Sequence, residues 1–285
     1  QRPILETTSD RADCMGFSLL TSLKQGFQPE YMRRSRSLPR MELACSTVDY
    51  WSHIYAHWIS EGLTRFQAFE HYCQQTGEQP ILIIDKNPPA WKIQSLKLMG
   101  YGPQDWVEWG GFRARVDRLV VCSKRREGGR ASAWACRWVR DRVLSNVDVY
   151  ATGQLSLSPR IFLSRRRASA RRVINEAQVM ETLSDFGFVS YVLEDYTFAD
   201  QVKLFSQAEM IVTPHGSGVV NLIFCQKPPR LVELFGHKVS SFMYTLAQGL
   251  GCDYSLMMCE AQGEDIVVDC DRLKRLLTGM LASTV

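Results

Sequence analysis

The sequence predicts an α/β protein with doubly wound, mostly parallel sheets, and three observations support this fold class. Short apolar runs of strand length alternate with amphipathic segments of helix length, as in successive βα units. A polar stretch over residues 145–159 separates two such series. In the second series, a run typical of a strand buried on both faces leads directly into a glycine-bearing turn and an apolar helix. We therefore expect two domains, over residues 1–150 and 151–285.

The first half contains one βα series after a weakly patterned start. Residues 1–48 carry no distinct chemistry, although 17–23 has the composition of a short strand or a helical turn. The run at 80–85 predicts a buried strand, which the following prolines terminate. The other expected elements are a helix over 91–99, a strand over 119–122, a basic solvated loop over 124–130 and a helix over 131–144.

A helix over residues 53–73 carries the first candidate chemistry. His53, His57, Glu61 and Arg65 recur every four residues, which places them on one face. Three interpretations stay open for this face. It could present an acid or base to an acceptor hydroxyl, bind a metal through His53, His57 and Glu61, or be a solvated face with a Glu61–Arg65 ion pair.

The second half repeats the βα rhythm more clearly. Asn175, with Gln178 three residues later, resembles a capping box, and Thr197 is expected to cap the following helix. Strands are expected over 161–163, 189–193, 210–212, 230–235 and 254–258, and helices after Asn175, after Thr197, and over 241–249 and 271–281.

The stretch 209–222 is the strongest local signal for a ligand site. Gly216 and Gly218 allow a tight turn and close approach to a ligand, and Ser217 can cap a helix beginning near Val219. Because the first N–H groups of a helix lack partners within it and carry partial positive charge, this turn is a candidate phosphate site, with His215 beside it. The plain alternative is a tight βα turn with an unrelated histidine.

Further polar residues follow neighbouring strands at the same expected edge of the sheet. Arginines, among them Arg165 and Arg172, follow the strand at 161–163, with Asn175 close behind, and Glu233 lies within the strand at 230–235. Guanidinium groups bind phosphate in a bidentate manner, and a carboxylate can hold ribose hydroxyls, so the set favours a nucleotide diphosphate. The alternatives are a surface or nucleic-acid-binding charge run and a Glu233 paired with an arginine for stability.

Composition sets broad limits on function. The net charge of +4 does not require a nucleic-acid partner. The 9 cysteines include no C-x-x-C pair and no zinc-type cluster, which favours reduced thiols and a cytoplasmic type of environment. No apolar run approaches the ~20 residues of a membrane span. The chain opens on Gln1 rather than Met, so a leader or anchor ahead of it stays open.

The second half contains several ordered motifs. They are Ser164-Arg165, Arg172-Val173-Ile174-Asn175-Glu176, Leu204-Phe205-Ser206-Gln207-Ala208, the run from Pro214 to Leu222 and Val232-Glu233-Leu234-Phe235. Together they resemble glycosyltransferase family 61, most closely over residues 160–236. The resemblance extends to 55–61 and Arg65. This chain has Ile54, Thr64 and Ser217 where the family usually has Asn, Pro and Ala.

The resemblance implies a GT-B fold of two Rossmann-like domains facing across a cleft. It implies transfer of a sugar, with inversion and without a metal or other cofactor, from a nucleotide sugar, expected to be a UDP-sugar. The acceptor would be a glycan or glycoconjugate on the N-terminal domain, with His57 or Glu61 as the base. The implied donor-binding residues are Arg165, Arg172, Asn175, His215, Gly216, Ser217, Gly218, Asn221 and Glu233.

Two other functions are compatible with the sequence. The same fold could serve as a non-catalytic nucleotide- or glycan-binding module, or the basic loops at 124–130 and 165–172 could bind nucleic acid. We expect a cytoplasmic location with or without peripheral membrane association, or the Golgi lumen if the chain is a fragment of a eukaryotic protein.

Overall fold

The computed structural model describes residues 40–109, 114–127, 130–153 and 156–282. The predicted short segment at 17–23 lies outside these residues. The α/β prediction is confirmed, since both large sheets are parallel and are accompanied by helices. Within the described residues, no helix has both the length and the apolar character needed to cross a bilayer.

The first sheet has four parallel strands in the order β3-β2-β1-β4. Its strands are β1 (Arg40–Ser46), β2 (Ile81–Asp85), β3 (Trp106–Trp109) and β4 (Arg115–Val120). The sequence predicted β2 and part of β4 but missed β1 and β3. Buried residues in β1 are confined to Ala44 and Cys45, and β3 has none. Neither strand therefore shows the continuous apolar run of a doubly buried strand.

The helix expected at 53–73 forms a longer helical segment with an irregular middle. It comprises α1 (Tyr55–His57), a π turn (Trp58–Gly62), a 3-10 turn (Leu63–Arg65) and α2 (Phe66–Thr76). Gly62 is required in the π turn because a Cβ there would lie 2.7 Å from the ring of Trp58. Widened turns of this kind often occur at functional sites.

The other elements described in the first half are helices, a 3-10 turn and a small antiparallel pair. The helices are α3 (Ala90–Leu98), α4 (Ala133–Leu144) and α5 (Val147–Tyr150), with a 3-10 turn (Pro103–Asp105). The pair is β5 (Arg126–Glu127) with β6 (Arg130–Ala131). The expected polar linker at 145–159 thus contains a short helix.

The second sheet has five parallel strands in the order β11-β10-β9-β7-β8. Its strands are β7 (Arg160–Leu163), β8 (Val189–Tyr191), β9 (Met210–Pro214), β10 (Arg230–Phe235) and β11 (Asp253–Met258). Because β8 flanks β7 on one side and β9 on the other, the strand order reverses between β7 and β9. Ligands of open α/β sheets bind beyond the carboxyl ends of strands at such a switch point.

Helices cover the second sheet, and a hairpin follows it. The helices are α6 (Glu176–Ser184), α7 (Phe198–Ser206), α8 (Phe242–Leu250) and α9 (Cys270–Ala282), with 3-10 segments at Leu193–Asp195 and Ser217–Phe224. The hairpin pairs β12 (Glu260–Gln262) with β13 (Asp265–Val267). Thr197 caps α7 as predicted, because its side chain accepts a hydrogen bond from the Asp200 N–H.

One hydrophobic cluster joins the two halves. It includes Trp58 and Phe66 from the first half and Phe205 and Phe224 from the second. The two sheets fall on either side of the predicted boundary. The division into domains at residue 150 stays a prediction, since the buried residues of both halves pack in a common core.

Candidate functional site

A cavity of about 690 Å³ lies at the switch point of the second sheet. The carboxyl ends of β7 and β9 form one wall, and the loop after β8 forms a second. The first half closes it with the start of α1 and one face of α3. The lining residues include Tyr55, Trp91, Gln94, Ser164, Arg165, Leu193, Glu194, Tyr196, Thr197, Gly216, Ser217 and Gly218.

Arg165 is the fixed cation of this cavity. It follows β7 directly, and its guanidinium donates from Nη2 and Nε to the Ala170 carbonyl at 3.1 and 3.4 Å. Burial and the nearby charge of Arg171 lower the pKa of Arg165, against a smaller opposing effect of Glu194. This guanidinium lies directly beside the backbone of Gly216, where an added Cβ would collide with Nη1 of Arg165. The predicted meeting of Arg165 with the glycine turn is therefore present.

The glycine turn differs in detail from the prediction. Ser217–Phe224 is a 3-10 helix rather than an α-helix, its N-cap is Gly216, and no side chain caps it. Ser217 therefore lines the cavity instead of capping. Gly218 approaches the opposite wall closely, since a Cβ there would lie 2.7 Å from Cδ1 of Leu193.

His215 and Glu233 form a pair beside the cavity. Nδ1 of His215 lies 2.5 Å from Oε1 of Glu233, and the imidazole ring stacks on Phe235. Glu233 is completely buried, and its Oε2 accepts a 2.7 Å hydrogen bond from the Tyr254 hydroxyl. Glu233 thus binds a histidine rather than an arginine, and it does not line the large cavity, where it was expected to hold a ribose. His215 borders a separate cavity of about 130 Å³.

Arg172 and Asn175, which were also predicted to bind the donor, face away from the large cavity. Arg172 is exposed and pairs with Asp265 of the hairpin, Nη2 to Oδ2 at 2.5 Å. Asn175 does not form the expected capping box. Its amide donates to the Val268 carbonyl and accepts from the Val268 N–H, at 2.9 and 3.0 Å. The structure therefore gives Arg172 and Asn175 contacts that tie the loop after β7 to the β13 region.

Asn221, also predicted to bind the donor, is completely buried and joins the two halves. Its Oδ1 accepts a 2.6 Å hydrogen bond from the Tyr55 hydroxyl, and its Nδ2 donates to Oε1 of Gln201 at 3.0 Å. Burial is the main cause that raises the pKa of Tyr55, so the phenol stays protonated and donates. Gln201 in turn donates to the carbonyls of Leu193 and Tyr196 in the cavity wall.

His57 and Glu61 belong to a second cluster, which also contains Asp49, Arg65 and Lys124. Nδ1 of His57 lies 3.3 Å from Oε2 of Glu61, and Nζ of Lys124 lies 3.4 Å from carboxylate oxygens of both Glu61 and Asp49. Arg65 pairs with Asp49. The Glu61–Arg65 pair suggested by the spacing is therefore replaced by pairs with residues distant in sequence.

The surroundings of this cluster correct two further expectations. Lys124 has only 11% of its side chain exposed, so this end of the basic loop is not solvated. His53 lies before the helix and is exposed, away from the face it was predicted to share. Over the described part of the chain, no three His, Cys, Asp or Glu side chains are grouped as metal ligands. The ring of His57 lies between Trp51 and Phe242, with ring centroids at 5.2 and 5.5 Å.

The cavity walls contain residues that the sequence analysis did not select. Trp91, Gln94, Leu193 and Tyr196 all line it. The segment 193–197 follows β8. Because ligands of such sheets bind at the carboxyl ends of strands, its place in the cavity wall could have been predicted from the sequence. Trp91 and Gln94 lie on a helix of the other half, and only the packing of the two halves brings them here.

The parallel sheet and the cavity at its switch point are features of doubly wound α/β proteins, in which ligands bind beyond the carboxyl ends of the strands. The chain belongs to the glycosyltransferase 61 family, whose sequence profile matches residues 55–232. This confirms the resemblance drawn from the motifs.

Known proteins that are similar to part of the chain include two mammalian glycosyltransferases. Protein O-linked-mannose beta-1,4-N-acetylglucosaminyltransferase 2 of Homo sapiens is 35% identical over 102 residues, which are 35% of this chain and 17% of that protein. The protein of the same name from Mus musculus is 39% identical over 82 residues, or 28% of this chain and 14% of the relative. The matched segment thus spans about one sixth of each relative's length or less.

Proposed function

We propose that the protein is a glycosyltransferase that transfers a sugar from a nucleotide-diphosphate sugar to a glycan or glycoconjugate acceptor. We propose a UDP-sugar as the donor. The observation that carries the proposal is the cavity where Arg165 and the 216–218 turn face the same space. A departing diphosphate that is not neutralised by a metal needs fixed positive charge and backbone N–H donors, which these groups supply. We therefore propose metal-independent transfer.

The two sheets would be the Rossmann-like halves of a GT-B arrangement, with the donor on the second. In this arrangement the nucleoside would lie along the 193–197 wall, and the diphosphate would lie against Arg165. The aromatic residues Trp91 and Tyr196 line the same cavity and offer apolar surface to a base or a sugar ring.

The relatives' name suggests a first sugar and acceptor for this proposal. We propose an N-acetylglucosamine donor and an acceptor that bears O-linked mannose as the first pair to test. A β linkage made from an α-linked nucleotide sugar requires inversion at the anomeric carbon, which is the stereochemistry we propose. Direct inversion needs a base on the acceptor hydroxyl.

His57 is our first candidate for that base, with Glu61 behind it. The Nδ1 atom of His57 faces the buried Glu61 carboxylate, which leaves Nε2 as the nitrogen to meet a ligand. Glu61 is held by Lys124 and has only 4% of its side chain exposed, so it suits an orienting role. His57→Ala should abolish transfer while donor binding persists, whereas Glu61→Gln should leave a measurable rate.

The test of donor binding is a thermal-shift screen with UDP-, GDP- and CDP-sugars, with and without EDTA. A ligand at 100 times its Kd stabilises the fold by about 2.7 kcal/mol through mass action. Arg165→Ala should remove the shift, and Arg166→Ala should keep it, because Arg166 is the exposed neighbour in the same loop. A shift that disappears with EDTA would contradict metal independence, and a shift unchanged in Arg165→Ala would contradict the donor site.

A non-catalytic binding module is the second candidate. It is favoured by one observation, that neither His57 nor Glu61 lines the described cavity around Arg165. It predicts calorimetric binding of UDP with neither transfer nor hydrolysis across a panel of donors. Transfer of labelled sugar to a mannosyl peptide, lost in Arg165→Ala, would dismiss it.

A further inference from the structure

Gln94 of α3 lines the large cavity from the first half of the chain and bonds to the second half. Its Oε1 accepts a 2.7 Å hydrogen bond from the backbone N–H of Phe198. Phe198 is the first residue of α7, so this N–H has no partner within the helix. Gln94 therefore gives the start of α7 a partner that the helix itself does not provide.

This hydrogen bond fixes the orientation of the Gln94 amide. A backbone N–H can only donate, so the atom that faces Phe198 is the amide oxygen, and the other end of the amide is the NH₂ group. Within the described residues, the hydrogen bonds of the Gln94 side chain involve Oε1 alone. The Nε2 atom is thus left as a hydrogen-bond donor for a ligand in the cavity.

Other polar groups that line this cavity already have partners in the protein. Gln201 donates from Nε2 to two backbone carbonyls at 2.9 and 3.2 Å. The Thr197 side chain caps α7, and the Ser164 hydroxyl donates to Glu176. Gln94 differs from these three in offering a donor that the described part of the chain leaves for a ligand.

The wall that follows β8 connects the proposed diphosphate site to Gln94. At one end of this wall, Cδ1 of Leu193 would lie 2.7 Å from a Cβ added at Gly218 of the glycine turn. At the other end, the Phe198 N–H donates to Gln94. A nucleotide with its diphosphate against Arg165 and its nucleoside along this wall would therefore bring its base to Gln94.

Trp91 supplies apolar surface beside the amide. It lies three residues before Gln94 in α3, which places the two side chains on one face of the helix, and both line the cavity. Its ring packs in a T-shaped arrangement with Tyr55, with 5.0 Å between the ring centroids. Since every nucleobase can stack on an aromatic ring, this surface favours a base without selecting one. Selection is left to a polar group.

We propose that Gln94 selects uracil over cytosine in the nucleotide of the donor, by donating from Nε2 to the exocyclic oxygen of uracil at ring position 4. This inference rests on the proposed function and names the residue that recognises the base. Uracil, like thymine, has a carbonyl acceptor at position 4, where cytosine has an amino donor. The Gln94 NH₂ group pairs with the carbonyl and meets a second donor in the amino group.

The test measures the dissociation constants of UDP and CDP by calorimetry, for the full wild-type chain and for Gln94→Glu. Wild type should bind UDP at least about tenfold more tightly, because CDP loses one hydrogen bond and leaves donors unpaired. Glutamate keeps an acceptor for the Phe198 N–H, repels the uracil carbonyl and accepts from the cytosine amino group. The ratio of UDP to CDP affinity should therefore fall by about 100-fold, so that CDP binds more tightly. The added charge acts on both diphosphates alike and cancels in this ratio.

Two further variants separate recognition from packing. Gln94→Leu offers neither donor nor acceptor, so it should bind the two nucleotides within about threefold of each other. Gln74→Glu is the matched control, because Gln74 is an exposed residue of α2 that receives the same change, and it should keep the wild-type ratio.

A merely structural role for Gln94 predicts a different result. Gln94→Glu would then keep the wild-type ratio, because a carboxylate is at least as favourable as an amide at the start of a helix. An unchanged ratio in Gln94→Glu, whether or not both affinities fall, overturns the inference. A ratio that changes equally in Gln74→Glu also overturns it.

Binding and turnover distinguish this inference from the proposed function. A reversed preference in Gln94→Glu, together with no sugar transfer by wild type from any donor, would support the base selection and contradict the transferase proposal. Transfer from a UDP-sugar by wild type, with the preference for UDP intact in Gln94→Glu, would do the opposite. A wild-type chain that binds neither nucleotide, or that prefers CDP, overturns the inference.

Discussion

Replacing Gly216 with alanine isolates the contact between the glycine turn and Arg165. Gly216 has φ −178° and ψ 168°, an extended conformation that any residue adopts, so the backbone itself tolerates alanine. The added Cβ would meet Nη1 of Arg165, the far end of a flexible side chain. The guanidinium can move aside, and the fold should therefore lose less than about 1 kcal/mol.

The effect on activity should be much larger, because the displaced group is the cavity's fixed cation. Arg165 is held in place by hydrogen bonds of 3.1 and 3.4 Å to one carbonyl, that of Ala170, and an added methyl group forces it away from both. Loss of one preorganised donor to a developing charge typically costs about 10²–10³ in kcat, or roughly 2.7–4 kcal/mol. We expect Gly216→Ala to lose kcat/KM by about that factor and to approach Arg165→Ala.

The assay is initial-rate transfer from the donor that gives the largest thermal shift, with melting temperatures measured on the same samples. Gly218→Ala is the matched comparison, since its Cβ would meet the methyl group of Leu193 instead of a charge. We expect a smaller loss there. If Gly216→Ala kept its melting temperature and more than about a third of its activity, the close approach to Arg165 would have no catalytic importance.

Three further predictions concern stability and pH. Lys92 is completely buried, and its Nζ donates hydrogen bonds to Asp85 and to the Ser52 carbonyl. Because Lys92→Met leaves the Asp85 carboxylate without its countercharge, it should lower the free energy of unfolding in urea by about 3 kcal/mol. The double variant Lys92→Met/Asp85→Asn should regain much of that free energy. Gly279→Ala should stabilise the chain by about 0.5–1 kcal/mol, because Gly279 lies within α9 and a Cβ there would meet no atom within 4 Å; a lower melting temperature would contradict this. Arg172 lowers the pKa of Asp265, so the contribution of this carboxylate to stability is fully present above its unfolded pKa of about 3.9 and is lost as pH falls through the lowered folded pKa. The difference in unfolding free energy between wild type and Asp265→Asn should be largest at pH 7 and should shrink as the pH falls below about 3.9; a difference that does not change with pH would contradict this.

In the two large sheets, the sequence predicted every strand that is buried along most of its length, and the two strands that it missed, β1 and β3, are not buried in this way. β2, β7, β9 and β10 are apolar runs ended by turn-forming or polar residues, so composition alone identifies them. β1 is central in its sheet but alternates polar and apolar residues over most of its length. Its place is set by pairing with β2 and β4, which no local pattern encodes.

The candidate site was predictable where its residues are close in sequence to strand ends. Arg165 and the 216–218 turn satisfy that condition, and the structure brings them into contact. Glu233 was selected as an unusual charge in a strand, but its partner depends on which face of β10 it occupies. The pairing of Asp49 with Arg65 and of Lys124 with Glu61 needs contacts between separate loops and a helix, which the four-residue spacing could not reveal.

A hydrogen bond joins the segment at 55–61 to the segment at 214–222, both of which resemble motifs of the family. Tyr55 lies two residues before His57, and Asn221 lies four residues after Ser217 in the same 3-10 helix. The 2.6 Å hydrogen bond between them therefore links the start of α1 to the 3-10 helix that begins at Ser217. Because Asn221 is completely buried and its amide also donates to Gln201, neither helix can shift without leaving a buried polar group unpaired. This link fixes the distance between the proposed base and the proposed leaving-group site, which is what in-line displacement at an anomeric carbon requires.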